Sequence, residues 1–77
     1  MGERILAYVL IVTSIGREYE VIEKIKDMEG VTEAVPVYGE YDVIVRIEAS
    51  DIKTIDKTVT KIRSLPMVLR TVTLIGH

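Results

Sequence analysis

The feature that most constrains the fold of this chain is an internal repeat with a spacing of 37 residues. Shifting the sequence by that spacing aligns segment 31–39 with segment 68–76, and in both segments apolar residues recur with a period of two before a glycine. In each half an apolar run and an amphipathic segment come first, so both halves are predicted to fold as strand, helix, strand. The alternative is that the repeat is a chance similarity between runs of β-branched residues. The predicted order of elements is the same in that case.

Turn and capping residues set the predicted boundaries. The first half is expected to form a strand over about 4–12, a helix over about 17–28 and a strand over about 31–38. The second half is expected to form a strand over about 41–49, a helix capped by Ser50 or Asp51 and ended by Leu65 and Pro66, and a strand over about 68–75. Gly30 is expected to close the first helix in a left-handed conformation. Gly39 and Glu40 form the turn between strands two and three, and Pro36 places strand two at a sheet edge.

Both predicted helices have one apolar stripe. The stripes consist of Val21, Ile22, Ile25 and Met28 in the first helix and Ile52, Ile55, Val59 and Ile62 in the second. Two right-handed β-α-β units that share one sheet predict a ferredoxin-like α+β fold with both helices on one face.

The opposite face of that sheet has no helix to cover it. Applying the repeat to strands one and three predicts that Leu6, Tyr8 and Leu10 face the helices together with Val43, Val45 and Ile47. The residues then expected on the open face are Ala7, Val9, Ile11, Ala34, Ile44, Thr71 and Ile75. Strand one has no polar residue between Ile5 and Val12, although a sheet with one wet face normally alternates. We therefore expect the open face to pack on an identical subunit.

Composition narrows the remaining possibilities. We expect residues 1–77 to form a single small domain, which usually needs disulfides, a metal or a partner for stability. There is no cysteine, and the one histidine, His77, cannot bind a metal alone, so self-association is the expected source of stability and neither a metal nor a cofactor is predicted. The net charge of −2, with no basic block, argues against direct contact with nucleic acid. No run is long enough to span a membrane, which favours a cytoplasmic protein, and the chain has the thermophile bias against heat-labile side chains.

No catalytic motif is visible in the sequence. There is no nucleophile with a neighbouring base, no Gly-rich phosphate loop and no carboxylate pair in an evident pocket. Acylphosphatase-like enzymes share the predicted strand order but need an arginine in the loop after strand one. Arg17 is the one candidate there, and an isolated charge in the first turn of a helix is usually a solvated side chain. The sequence therefore favours a protein that is not an enzyme.

The candidate binding residues lie around the turn and in strand four. Gly39 lets the backbone approach a ligand, Asp42 is a carboxylate at the start of an apolar strand, and Tyr41 lies between them. Thr71 and Thr73 share one face of strand four, the face expected to be open, where their hydroxyls could bind a small polar ligand. The simpler interpretation is that Gly39 and Asp42 only build the turn and that the threonines are ordinary β-formers. Separately, Arg46 and Glu48 are expected on the partner-facing side, where they pair across the subunit boundary or form a surface pair at the margin of the sheet.

Three segments, 28–34, 37–45 and 68–75, resemble the RAM (regulation of amino acid metabolism) domain of the Lrp/AsnC transcription regulators. The most specific element is Gly-x-Tyr-Asp at 39–42 before an apolar strand, with Thr-x-Thr at 71–73. The resemblance implies dimers that pack sheet to sheet, assemble into rings and bind an amino-acid effector between dimers through Gly39, Tyr41, Asp42, Thr71 and Thr73. Typical members also carry an N-terminal helix-turn-helix. This chain instead resembles the stand-alone RAM proteins, expected to act on full-length Lrp/AsnC regulators through protein contacts.

Two alternatives share the predicted strand order. A small enzyme of the dimeric α+β barrel type would need a polar pocket between sheet and helices, where this sequence places Val, Ile and Leu. An ACT-like regulatory domain would pair its sheets side by side, which the apolar strand one and the edge residue Pro36 disfavour.

Overall fold

A computed structural model of the chain describes residues 4–76. The elements are strand β1 (Ile5–Thr13), helix α1 (Glu18–Ile25), strand β2 (Val31–Pro36), strand β3 (Val43–Ala49), helix α2 (Ile52–Arg63) and strand β4 (Val68–Gly76). The strands form one antiparallel sheet in the order β2-β3-β1-β4, so the ferredoxin-like α+β prediction is confirmed. His77 lies outside the described residues.

The helices begin and end for local reasons. Asp51 is the N-cap of α2, because its carboxylate accepts a hydrogen bond of 2.8 Å from the Thr54 amide. Helix α1 has no side-chain cap, but Glu18 and Glu20 lie in its first turn, where negative charge is favoured. It ends at Ile25, three residues earlier than predicted, and a turn continues to Gly30, whose φ of +83° is left-handed as expected.

The core lies between the helices and one face of the sheet. Its fully buried side chains are Ala7, Val9 and Ile11 of β1, Val43, Val45 and Ile47 of β3, Val21 and Ile25 of α1, and Ile55 and Ile62 of α2. Both predicted helix stripes therefore supply the core, with Ile22, Met28 and Val59 packed at its margin. Ile52 is the exception, since it is 45 % exposed and Thr58 is buried in its place.

The side chains of strand β1 lie on the opposite faces of the sheet from those predicted. Ala7, Val9 and Ile11 lie directly opposite Ile47, Val45 and Val43 in the ladder, and directly opposed residues point to one face of a sheet. They therefore face the helices, not the open side as predicted. Leu6, Tyr8 and Leu10 lie on the open side instead of against the helices.

The register also corrects the predicted faces of residues on both edge strands. Ala34 lies opposite Val45, while Thr71 and Ile75 lie opposite Ile11 and Ala7, so all three are on the helix side rather than the open side. Ile44 lies opposite Leu10 and is on the open side, as predicted. The open side remains rich in apolar residues, with Tyr8 38 % and Leu74 52 % exposed, and Leu6, Leu10, Ile44 and Val72 partly exposed.

Strand β2 is an edge strand, as the position of Pro36 predicted. Pro36 is its last residue, so the connection to β3 runs from 37 to 42 and is longer than the predicted two-residue turn. A hydrogen bond of 2.9 Å from the Val37 amide to the Asp42 carbonyl closes this connection, and Gly39 within it has φ +107°. No helix within the described residues 4–76 combines the length and the apolarity needed to cross a membrane.

Candidate functional site

The connection between β2 and β3 forms one wall of an open cleft of about 480 Å³. The other wall is the start of α1, and the cleft is lined by Glu18, Tyr19, Pro36, Val37, Tyr38, Gly39 and Asp42. Two of the predicted binding residues, Gly39 and Asp42, therefore meet in one place. A Cβ on Gly39 would contact nothing, but the positive φ there disfavours any other residue.

Asp42 ties the β2–β3 connection to the end of β1. Its Oδ2 atom accepts a hydrogen bond of 2.8 Å from the Thr13 amide, and its own amide donates to the Ile11 carbonyl at 2.8 Å. The register of β1 against β4 shifts between Val12 and Thr13, and this irregularity lies where the Asp42 carboxylate binds the Thr13 amide. Asp42 thus has a structural role in this connection.

The lining of the cleft favours a cationic group. Glu18 and Asp42 are carboxylates, Tyr19 and Tyr38 present aromatic rings, and none of the residues within 4–76 that line the cleft is basic. Tyr19 is 67 % exposed and Tyr38 fully exposed, so both rings are available to a ligand or a neighbouring subunit. Carboxylates and aromatic faces together bind ammonium groups.

The other three predicted residues are not part of the lining of this cleft. The Tyr41 ring lies under the Arg70 guanidinium, whose central carbon is 5.8 Å from the ring centroid. Thr71 lines a second cavity, and Thr73, also in the edge strand β4, lies opposite Val9 of β1. Both threonines are on the helix side, which corrects the prediction that they line the open face, because the strand paired with them has its core residues on that side. Strand β1 separates them from Asp42.

Sequence reasoning overlooked Arg70, Tyr19 and Tyr38. Arg70 directly precedes Thr71, but its contact with Tyr41 depends on how the strands pair. The spacing of residues in the sequence does not reveal this pairing. Tyr19 shares the cleft only because α1 packs beside the β2–β3 connection.

The remaining charged candidates form ion pairs. Arg17 donates a hydrogen bond of 2.9 Å to Glu20, and this carboxylate raises the pKa of the Arg17 guanidinium. Arg46 pairs with Glu48 at 2.7 Å on the open side, where the pair was predicted, and the Tyr8 hydroxyl, then Glu48, raises the pKa of Arg46. Within residues 4–76 no three His, Cys, Asp or Glu side chains lie close enough together to hold a metal ion.

Comparison with known proteins identifies the family. Residues 6–76 match the family model described as the Lrp/AsnC ligand binding domain. No curated protein matches the sequence. Among solved structures, FFRP-DM1 is 44 % identical with a TM-score of 0.88, and the match covers 95 % of this chain and 99 % of that one.

Two further structures come from heat-loving organisms, in agreement with the thermophile bias of the sequence. A protein of Pyrococcus horikoshii is 44 % identical with a TM-score of 0.88, and the match covers 95 % of this chain and 89 % of that one. A protein of Thermus thermophilus is 35 % identical with a TM-score of 0.89, covering 95 % of this chain and 92 % of that one. The match to the family model and these two likenesses agree with the resemblance noted in the sequence, and the chain belongs to the family of Lrp/AsnC ligand-binding domains.

Proposed function

We propose that this domain binds an amino acid in the cleft at the β2–β3 connection and acts as a self-assembling regulatory module in the cytoplasm. The observation that carries the proposal is the cleft of about 480 Å³ in which Asp42 and Glu18 lie beside exposed tyrosines. An amino acid always carries an ammonium group, and this lining suits one. Asp42 uses Oδ2 for the Thr13 amide, while Oδ1 accepts no hydrogen bond from the described residues.

A neighbouring subunit is proposed to complete the site. Asp42 and the pair Thr71 and Thr73 belong to one predicted site, but β1 lies between them in a single subunit. A ligand between two copies would bring residues from both groups to one site. The fully exposed Tyr38 is in a position to contact such a neighbour.

The open face of the sheet is proposed to form the dimer. Leu6, Leu10, Ile44 and Val72 lie in adjacent strands on this side and are partly exposed. Their burial against an identical face removes this apolar surface from water, and each Å² of apolar area buried contributes about 25 cal/mol. Dimers would then join into rings, and an amino acid that bound one assembly better than another would shift the balance between them. The domain would pass this change to full-length Lrp/AsnC regulators through protein contacts rather than by touching DNA.

Calorimetric titration with each of the twenty amino acids tests the ligand. We expect a saturable heat with at least one of them, and none with any would remove the ligand proposal. The variant for the site is Asp42→Asn, which keeps an oxygen acceptor for the Thr13 amide but removes the charge. This variant should lower the affinity for the amino acid by roughly tenfold, since a hydrogen bond to a charged group contributes about 1.5–3 kcal/mol.

Asp56→Asn is the matched control, because Asp56 is an exposed aspartate on α2, away from the lining of the cleft. It should bind the effector as the parent does. Parent-like affinity of Asp42→Asn, with an unchanged melting temperature, would remove Asp42 from the site and leave the assembly proposal untouched.

A further inference from the structure

The open face of the sheet has one row of residues that is apolar in every strand. The row takes one residue from each of β2, β3, β1 and β4, and these lie opposite one another in the three ladders: Val35, Ile44, Leu10 and Val72. Val35 is 36 % exposed and the other three are partly exposed. A partner that covers the open face must bury this band, which we call the apolar row.

The next row towards the start of β1 contains a polar pair. Arg46 lies opposite Tyr8, whose side chain is 38 % exposed. The Arg46 guanidinium donates to the Thr32 hydroxyl at 3.0 Å and pairs with Glu48 at 2.7 Å. The Tyr8 hydroxyl is a further polar neighbour and raises the pKa of Arg46. The edge of the guanidinium therefore has acceptors within the protomer, and its charge needs no carboxylate from a second copy.

Symmetry leaves two aligned ways to stack the apolar rows of two identical copies. Aligned sheets keep their strand directions within about 30° of each other, so the two-fold axis between them runs either along the strands or across them. An axis along the strands keeps like ends together and places β1 of one copy over β3 of the other, because these are the two central strands. An axis across the strands places each strand over its own copy with the ends reversed.

The Arg46–Tyr8 pair distinguishes these two arrangements. With the axis along the strands, the Tyr8 ring of each copy lies over the Arg46 guanidinium of the other. A guanidinium whose edge is hydrogen-bonded still stacks through its face on an aromatic ring. With the axis across the strands, the pair instead faces the row of Val12 and Arg70. That arrangement brings two guanidinium groups into one covered row, which is unfavourable for like charges.

We infer that the Arg46–Tyr8 pair selects the partner of the open face: a second copy of this chain, packed with the like ends of the strands together. The inference rests on the proposed dimer at the open face and adds the residues that decide its orientation. A partner without the matching ring would cover Arg46 without the aromatic contact, so the pair also disfavours a purely apolar partner. Ion pairs at an interface contribute more to such discrimination than to affinity.

The test measures which ends of two copies lie together in the intact assembled protein. The chain has no cysteine, so Glu40→Cys and Ser50→Cys each accept one spin label, at opposite ends of the sheet. Both positions are exposed. With like ends together, the thickness of the packed sheets, about 10 Å between strands, mainly sets each label-to-label distance. Reversed ends would add about 30 Å, the length of a nine-residue strand such as β1.

We expect the short distance at both positions, measured by pulsed electron resonance. Two positions are needed because a second contact between dimers, elsewhere on the surface, could bring one end together by itself.

Removing the pair should remove the selection of one arrangement. Tyr8→Leu takes away the ring, and Arg46→Leu combined with Glu48→Leu takes away the ion pair. Each variant should still assemble, with a second population of labels about 30 Å further apart. Arg17→Leu combined with Glu20→Leu is the control, because it removes an exposed ion pair at α1, away from the open face. It should keep the parent distances.

The parent distances decide the arrangement even if a variant unfolds. Long distances in the parent, or a short distance at one position only, would overturn the inference and leave the dimer in place. Parent distances in both folded variants would also overturn it, since the pair would then select nothing. A parent with no distance between copies at either position would remove the proposed dimer itself, and the inference with it.

Discussion

The two faces of the sheet carry almost the same kind of residue and have opposite surroundings. On the helix side, Val9, Val45 and Ile47 have no exposed surface, and the space between sheet and helices is filled by hydrocarbon. On the other side, Leu10 and Ile44 lie in the same strands and remain partly exposed. The difference shows that apolar composition in a strand does not reveal which face the protomer buries itself. The open side is the one on which apolar residues of these strands keep contact with water.

The largest effect on stability is expected from a cavity on the helix side of the sheet. Ile11→Ala removes a fully buried side chain, and the surrounding core cannot close completely. We expect a loss of about 2–5 kcal/mol in the free energy of unfolding, measured by chemical denaturation. The loss should be the same at every protein concentration, because this side chain packs within one protomer.

Ile44→Ala on the open side is the matched variant. If the open face is a dimer interface, its effect on unfolding must depend on protein concentration. Equal losses from the two substitutions, with no dependence on concentration in either, would contradict the difference between the faces.

A charge on the open face tests the difference between the two faces through the assembly state of the protein. Leu10→Lys places an ammonium group in the middle of the proposed interface, where it would be buried without a partner. We expect the mass measured by light scattering to fall towards that of one protomer at micromolar concentration. Ile15→Lys, in the exposed loop after β1, is the control and should leave the mass unchanged. A parent protein that is a well-folded monomer at that concentration would refute the assembly proposal directly.

The smallest expected effect concerns the start of α2. The Thr54 amide binds the Asp51 carboxylate and lowers the pKa of Asp51 below its ordinary value. A lowered folded-state pKa stabilises the protein above the unfolded pKa, about 4, and this contribution disappears as the pH falls through the folded value. Asp51→Ala should therefore melt a few degrees below the parent at neutral pH. The gap between the two proteins should narrow in acid, and a gap independent of pH would show that the cap acts without its charge.

Much of the fold was predictable because its elements depend on local signals. The helix stripes, the Asp51 cap, the edge position of Pro36 and the left-handed Gly30 all follow from spacing or from the chemistry of one residue. The orientation of β1 did not follow, since a strand that is apolar at every position contains no information on which face is buried. A slip of one residue in the alignment then reverses every side chain.

The error lay in extending the repeat to the first strands. Val21 and Ile25 of α1 match Thr58 and Ile62 of α2 at the spacing of 37, and all four are buried. Buried residues of β1 match those of β3 at a spacing of 36, as Thr13 and Ala49 illustrate. The path from strand to helix is thus one residue longer in the second half, a difference in loop geometry that residue types do not reveal.

The candidate site was predictable only in part. Gly39 and Asp42 are near each other in sequence, and the structure brings both to one cleft. Thr71 and Thr73 were placed on the wrong side for the same reason as β1, since the β1–β4 ladder fixes their orientation. The contact between Tyr41 and Arg70 joins residues far apart in the chain, and only the strand order reveals it.

If the cleft binds a cation as proposed, the hydrogen bond from the Thr13 amide to Asp42 makes one backbone proton a reporter of the cleft. A ligand cation that draws on the same carboxylate competes with this amide for negative charge. The proton would then exchange with solvent at a different rate when the cleft is occupied, even if nothing in the fold moves. Hydrogen exchange at this single position would follow occupancy from within the protein, without a label on the ligand.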